Sequence, residues 1–125
     1  MKNEKTPEAE DLAAFGSAAE SLDEAELSTH KLRKPIKYDG VEIRELHFDF
    51  ESLTGRDSRE VIRELTVKGV NILASFKTTS EEYLRGMAAR AITDEVGGRK
   101  IGADIFDLMS AGDANRITTR VLRFL

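Results

Sequence analysis

Between Leu32 and Phe50 the chain reads LRKPIKYDGVEIRELHFDF, two runs of strand-forming residues that meet at Asp39-Gly40. An Asp-Gly pair flanked by such runs selects a tight two-residue hairpin turn and so sets the strand register. Tyr38 then faces Val41 and Ile36 faces Ile43, while Lys37 faces Glu42 and Lys34 faces Glu45, apolar and opposite-charge pairs across one ladder. Beyond Ile43 the apolar positions change phase, because Leu46, Phe48 and Phe50 are even-numbered and Val41 and Ile43 odd. A one-residue slip of that kind predicts a β-bulge near Arg44-Glu45, or a bend where the strand leaves its first pairing. Pro35 has no N–H to give a ladder, so the first strand belongs at an edge. A hairpin alone is marginal in water, and this one needs a helical layer over its apolar face.

The remaining chain supplies that layer. Thr54 and Asp57 form a capping box, followed by Ser58, Val61, Ile62 and Leu65 at helical spacing, which predicts a helix to Thr66 that stops at Lys68-Gly69. Val70, Ile72, Ala74 and Phe76 alternate as in a third strand over Val70–Lys77, although Leu73 breaks the pattern. Thr79 and Glu82 make a second capping box, and Tyr83, Leu84, Met87, Ala88, Ala91 and Ile92 an apolar stripe, with Gly97-Gly98 as the stop. Gly86 within that helix costs about 1 kcal/mol relative to Ala, which points to a close approach by another element. Ile101 to Met109 reads as a short helix. Ser110 and Asp113 then cap a terminal helix with Ala114, Ile117, Thr118, Val121, Leu122 and Leu125 on its apolar face. The expected fold is α+β: an N-terminal β-hairpin, with a third strand as an option, packed against three to four α-helices.

Charge divides the chain. Positions 1–30 hold two lysines against eight acidic residues, a net −6, whereas the whole chain carries −4, which leaves +2 for the rest. With only Leu12, Phe15, Leu22 and Leu27 to bury, 1–30 is expected to be an acidic, mostly disordered arm, and 31–125 the folded domain. No apolar run approaches the ~20 residues of a membrane span, and the start MKNEKTPEAE lacks a signal-peptide core. There is no cysteine, so neither disulfides nor thiolate chemistry enter. A cytoplasmic protein with no membrane partner is expected.

The residues that could carry chemistry are few. His30 and His47 lack the spaced partners of a zinc site. Asp104 and Asp107 fall early in a short helix, where negative charge is stabilising in itself. Gly97-Gly98-Arg99-Lys100 lacks the spacing of a phosphate loop and reads as a helix stop with a solvated turn. No catalytic residue, cofactor site or metal site is expected, and the protein is read as a non-enzymatic interaction domain. Arg99, Lys100, Arg116, Arg120 and Arg123 give the last third a basic cast, but a net +2 without a recognition motif does not make nucleic acid the expected partner.

Several stretches, in their order and spacing, resemble the tail assembly chaperones of long-tailed bacteriophages. They are Lys34-Pro35-Ile36 with Asp39-Gly40, then Glu45-Leu46 and the run Phe48-Asp49-Phe50-Glu51-Ser52-Leu53-Thr54-Gly55-Arg56-Asp57. Ser80-Glu81-Glu82-Tyr83 with Met87-Ala88-Ala89-Arg90-Ala91 follows, and Asp107-Leu108-Met109, Asp113 and Val121-Leu122-Arg123-Phe124-Leu125 close the series. The resemblance covers about 32–125 and leaves the acidic arm out. It implies a cytoplasmic protein of the bacterial host, made during phage or prophage expression and absent from the mature virion. Such a chaperone binds the tape measure protein, keeps it soluble and helps recruit tail tube protein. A structural tail or neck subunit and a small nucleic-acid-binding regulator are the rival classes, and homo-oligomerisation is left open. Phe106, Met109, Phe124 and Leu125 are the candidate partner-binding residues, because apolar and Met-bearing helix surfaces adapt to helical clients.

Overall fold

The Asp-Gly turn forms as its chemistry requires. A computed structural model describes residues 28–71 and 74–125, the side chains of 74–76 excepted. In it, strands β1 (Thr29–Tyr38) and β2 (Val41–His47) pair antiparallel around Asp39 and Gly40. Both turn residues have positive φ, 51° and 82°, the type I′ signature. Tyr38 faces Val41, Lys37 faces Glu42 and Ile36 faces Ile43, as expected.

Beyond Ile43 the ladder departs from expectation. Lys31, not Lys34, faces Glu45, and His30 and Thr29 face Leu46 and His47. Leu32 to Pro35 therefore oppose Arg44 alone, so the extra residues lie on β1 and not on β2. The phase change at Arg44-Glu45 is real, since Ile43 and Leu46 are both buried, but it is the opposite strand that bulges. Pro35 sits inside the bulge, where no ladder donor is needed.

Three α-helices cover the hairpin: α1 (Gly55–Val67), α2 (Glu81–Ala91) and α3 (Ala111–Leu122). The Thr54–Asp57 capping box forms in both directions. The second cap lies one residue later than expected. Ser80, not Thr79, accepts from the Tyr83 N–H, because Ala74–Thr79 is a 3-10 segment that absorbs Thr79. That segment replaces the expected third strand over its described part, while Ile72 and Leu73 lie outside the described residues. The fourth helix is likewise not formed. Between Ile101 and Met109 there is a five-residue 3-10 turn, Ala103–Asp107.

Helix α2 ends at Ala91 rather than at Gly97-Gly98. The glycines instead make the turn of a miniature hairpin, β3 (Glu95–Val96) with β4 (Arg99–Lys100), at φ 61° and 77°. A Gly-Gly pair is itself a two-residue hairpin-turn signal, and here it makes that turn in place of the expected helix stop. Phe48 bridges to Ile92, and the Asp49 N–H donates to the Ala91 carbonyl at 2.7 Å, so the chain after β2 is tied to the end of α2.

The core lies between the hairpin and the helices, with Leu46, Ala88, Ile105, Ile117 and Val121 fully enclosed. Gly86 sits where α2 crosses α1, and a Cβ placed there would stand 2.6 Å from Val61 Cγ1. That is the close approach its presence in a helix suggested. Leu122, expected on the apolar face of the terminal helix, is turned outward and exposed. Positions 1–27 of the acidic arm lie outside the described residues, but Thr29 and His30 already belong to β1, ahead of the expected domain start. Among the described residues no helix is long and apolar enough to cross a membrane.

Candidate functional site

Two places bear on function: the end of α3, beside which two of the four candidate partner residues, Phe124 and Leu125, fall, and a polar joint between α3 and β1.

Ser110 caps α3 by accepting from the Asp113 N–H at 3.2 Å. In an ordinary capping box the carboxylate three residues after the cap would reach back to the cap N–H. Asp113 turns inward instead. Its side chain is fully buried and accepts from His30 Nε2 at 3.0 Å, from the Arg33 N–H at 3.0 and 3.2 Å, from Ser110 Oγ at 2.9 Å and from Arg116 Nη1 at 3.4 Å. The Arg33 N–H is a donor that the β1 bulge removes from the ladder, and Asp113 satisfies it. Burial works against the charge of this carboxylate, yet the hydrogen bonds from His30, Ser110 and Arg33 outweigh it and hold the group below the usual carboxylate range. His30 is pushed down by its own burial, against the pull of Asp113, with Arg120 and Arg116 adding to the fall. The pair is thus a carboxylate and a neutral imidazole whose Nε2–H donates. Such a joint fixes α3 on β1; with every lone pair engaged it has no capacity left for a substrate.

His47, at the other end of the ladder from the turn, has the opposite environment. Its N–H donates to Asp94 at 2.6 Å, its Nδ1 lies 2.9 Å from the same carboxylate, and Nε2 lies 3.3 Å from Glu45. The bond to Asp94 raises its pKa, partly offset by burial. Among the described residues no cluster of histidine and carboxylates is arranged to hold a metal. Asp104 accepts from the Tyr38 hydroxyl at 2.8 Å, and Asp107 pairs with Arg85 at 3.2 Å, so both are structural. Lys100, from the glycine-led loop, donates to the carbonyls of Arg90 and Ile92 and closes the end of α2.

A cavity of about 280 Å³ opens between α1, α2 and the segment after β4, lined among others by Asp57, Glu64, Arg90, Lys100 and Ile101. Arg90 is already shared among Asp57, Glu60 and Glu64 at 3.3, 2.8 and 2.9 Å. Its charge is spent within the fold.

The four candidate partner residues separate. Phe106 and Met109 are buried, with the Arg85 guanidinium 5.8 Å over the Phe106 ring, so neither offers a surface. Phe124 is half-buried as the last ring of a stack, Phe48 on Phe50 at 4.9 Å and Phe50 on Phe124 at 5.1 Å. Its N–H donates to Val121 and that of Leu125 to Leu122, so the end of the chain is held. Leu125 is exposed, and Leu122 beside it, each at 42 %. The exposed apolar side chains at the end of α3 are Leu122 and Leu125, next to the anchored Phe124; Val41, Val67 and Leu108 are exposed elsewhere. The sequence reading missed Leu122; the spacing of Leu122 and Leu125, three apart, was the signal.

No family model matches this chain, and no curated protein and no solved structure matches it.

Proposed function

We propose that this chain is a non-enzymatic tail assembly chaperone of a long-tailed bacteriophage, which binds the tape measure protein, keeps it soluble and helps gather tail tube subunits. One observation supports the reading beyond the resemblance itself: its motifs coincide with the joints of the fold. Asp39-Gly40 is the hairpin turn, Leu53–Asp57 contains the capping box of α1, Ser80–Tyr83 starts α2, and Asp113 ties α3 to β1. Motif positions that carry the architecture are those a shared fold would need. The proposed client surface is the exposed edge of Leu122 and Leu125, an apolar patch at i, i+3 spacing of the kind that meets a helical segment.

The test is co-expression with a tape measure protein, the very long, helix-rich client that this reading requires. The wild-type chain should raise the soluble fraction of that protein several-fold. Leu122→Ser with Leu125→Ser should abolish the gain while leaving the domain folded, since both side chains are exposed. No gain with the wild-type chain, or recovery of this protein as a stoichiometric component of purified particles, overturns the reading.

A further inference from the structure

Strand β2 has two edges, and β1 covers one of them. The other is closed only at its C-terminal end. There the His47 N–H donates to Asp94 at 2.6 Å and the Thr93 N–H to the His47 carbonyl at 2.8 Å, so the chain after α2 takes up the edge beside His47. Nearer the turn, nothing among the described residues does so. The type I′ turn makes Tyr38 and Val41 a hydrogen-bonded pair, and alternation along the ladder makes Ile36 and Ile43 the next. Glu42 and Arg44 therefore aim their N–H and C=O groups away from β1, at the open edge.

What this edge can accept follows from its side chains. Glu42 and Arg44 lie on the solvent face, 3.0 Å apart and both exposed, and an ion pair so placed contributes little within one chain. Val41, on the opposite face with Ile43, is 46 % exposed. An antiparallel strand bonds to Glu42 and Arg44 only through residues whose own backbone groups point outward. For a second β2 the candidates are Glu42 opposite Glu42, Arg44 opposite Arg44, and Glu42 opposite Arg44. The first two set like charges against each other; the third sets unlike charges together, and does so twice by symmetry. We propose that β2 pairs edge to edge with β2 of a second copy of this chain, antiparallel about a two-fold axis at Ile43, with Glu42 of each copy facing Arg44 of the other. The four side chains form a square of alternating charge on the outer face. On the other face Ile43 meets its counterpart, with Val41 of each copy alongside. The His47 end of each strand falls beside the Asp39-Gly40 turn of the other, where the paired strand has ended. The inference concerns β2 and not the end of α3, and it stands without the chaperone reading.

The contact is short, so the dimer is a weak one. The measurement is sedimentation velocity of the full-length chain over a concentration series up to about 1 mM, where weak association registers. The wild-type chain should dimerise reversibly. Glu42→Arg and Arg44→Glu should each weaken the dimer about tenfold, since each sets like charges opposite one another twice. An equimolar mixture of the two variants should dimerise again, because the basic pair of one chain then faces the acidic pair of the other. The methyl shifts of Ile105 and Ile117 check that the core is intact in every variant. A wild-type chain that stays monomeric throughout the series overturns the proposal. A dimer that neither charge reversal weakens uses another surface and overturns it as well. Weakening in both variants without recovery in the mixture removes the register, and the proposal with it.

Discussion

Asp113 has no exposed surface and still holds its charge, which requires that its oxygens be met from several sides at once. His30, Arg33 and Ser110 meet it, and each comes from a different layer of the local structure: a strand side chain, a bulge backbone and a helix cap. Asp113→Ala should cost about 3 kcal/mol in urea unfolding, because it strands the Arg33 N–H and the imidazole together. A loss below about 1 kcal/mol would mean that water replaces the carboxylate freely. The two histidines give opposite pH signatures. Folding lowers the His30 pKa, so its contribution is full above the ordinary value near 6.5 and declines as acid protonates the unfolded chain first. Folding raises the His47 pKa, so its contribution is full below 6.5 and is lost as pH rises through the folded value. In His47→Gln the urea midpoint should therefore fall between about pH 7.5 and about pH 5.5. In His30→Gln it should rise over the same interval. Identical slopes in the two variants would contradict these assignments.

At the scale of elements, the tightest junction is α1 against α2. Gly86→Ala gains helix propensity of about 1 kcal/mol, yet its methyl would collide with the Val61 side chain, whose branched Cβ leaves it one good rotamer in a helix. A net loss of about 1–3 kcal/mol is expected, and Val61→Ala in the same chain should recover part of it in a double-mutant cycle. Strict additivity would place the clash elsewhere. Gly40→Val tests the hairpin in the same spirit. Nothing lies near its Cβ position, so the expected loss of about 1–2 kcal/mol comes from φ alone. These features were legible beforehand because they are local: Asp39-Gly40, Thr54 with Asp57, and Ser110 before Asp113 each declare themselves within four residues. What could not be read needed distant partners. The bulge falls on β1 because Arg33 finds Asp113 eighty positions away, and nothing near Arg44-Glu45 states which strand will yield. Phe106 and Met109 looked as available as Leu125 for the same reason, since their cover comes from other elements.

The described residues form a long hairpin with three helices laid on it and a miniature hairpin after the second helix. Deleting positions 1–27 should change stability by less than about 1 kcal/mol, since that stretch is acidic and holds few residues to bury. The three-residue bulge has a further consequence at this scale. A two-stranded sheet has nothing but edges, and an open edge invites any extended chain to add itself as the next strand. Here β1 is buckled over Leu32–Pro35, one of its N–H groups is engaged by Asp113, another is missing at Pro35, and Lys31, Arg33, Lys34 and Lys37 stand exposed along it. An extended polypeptide laid against β1 would find too few aligned donors to grip and a row of like charges in its way. Along β1, then, the hairpin presents a poor template for a further strand.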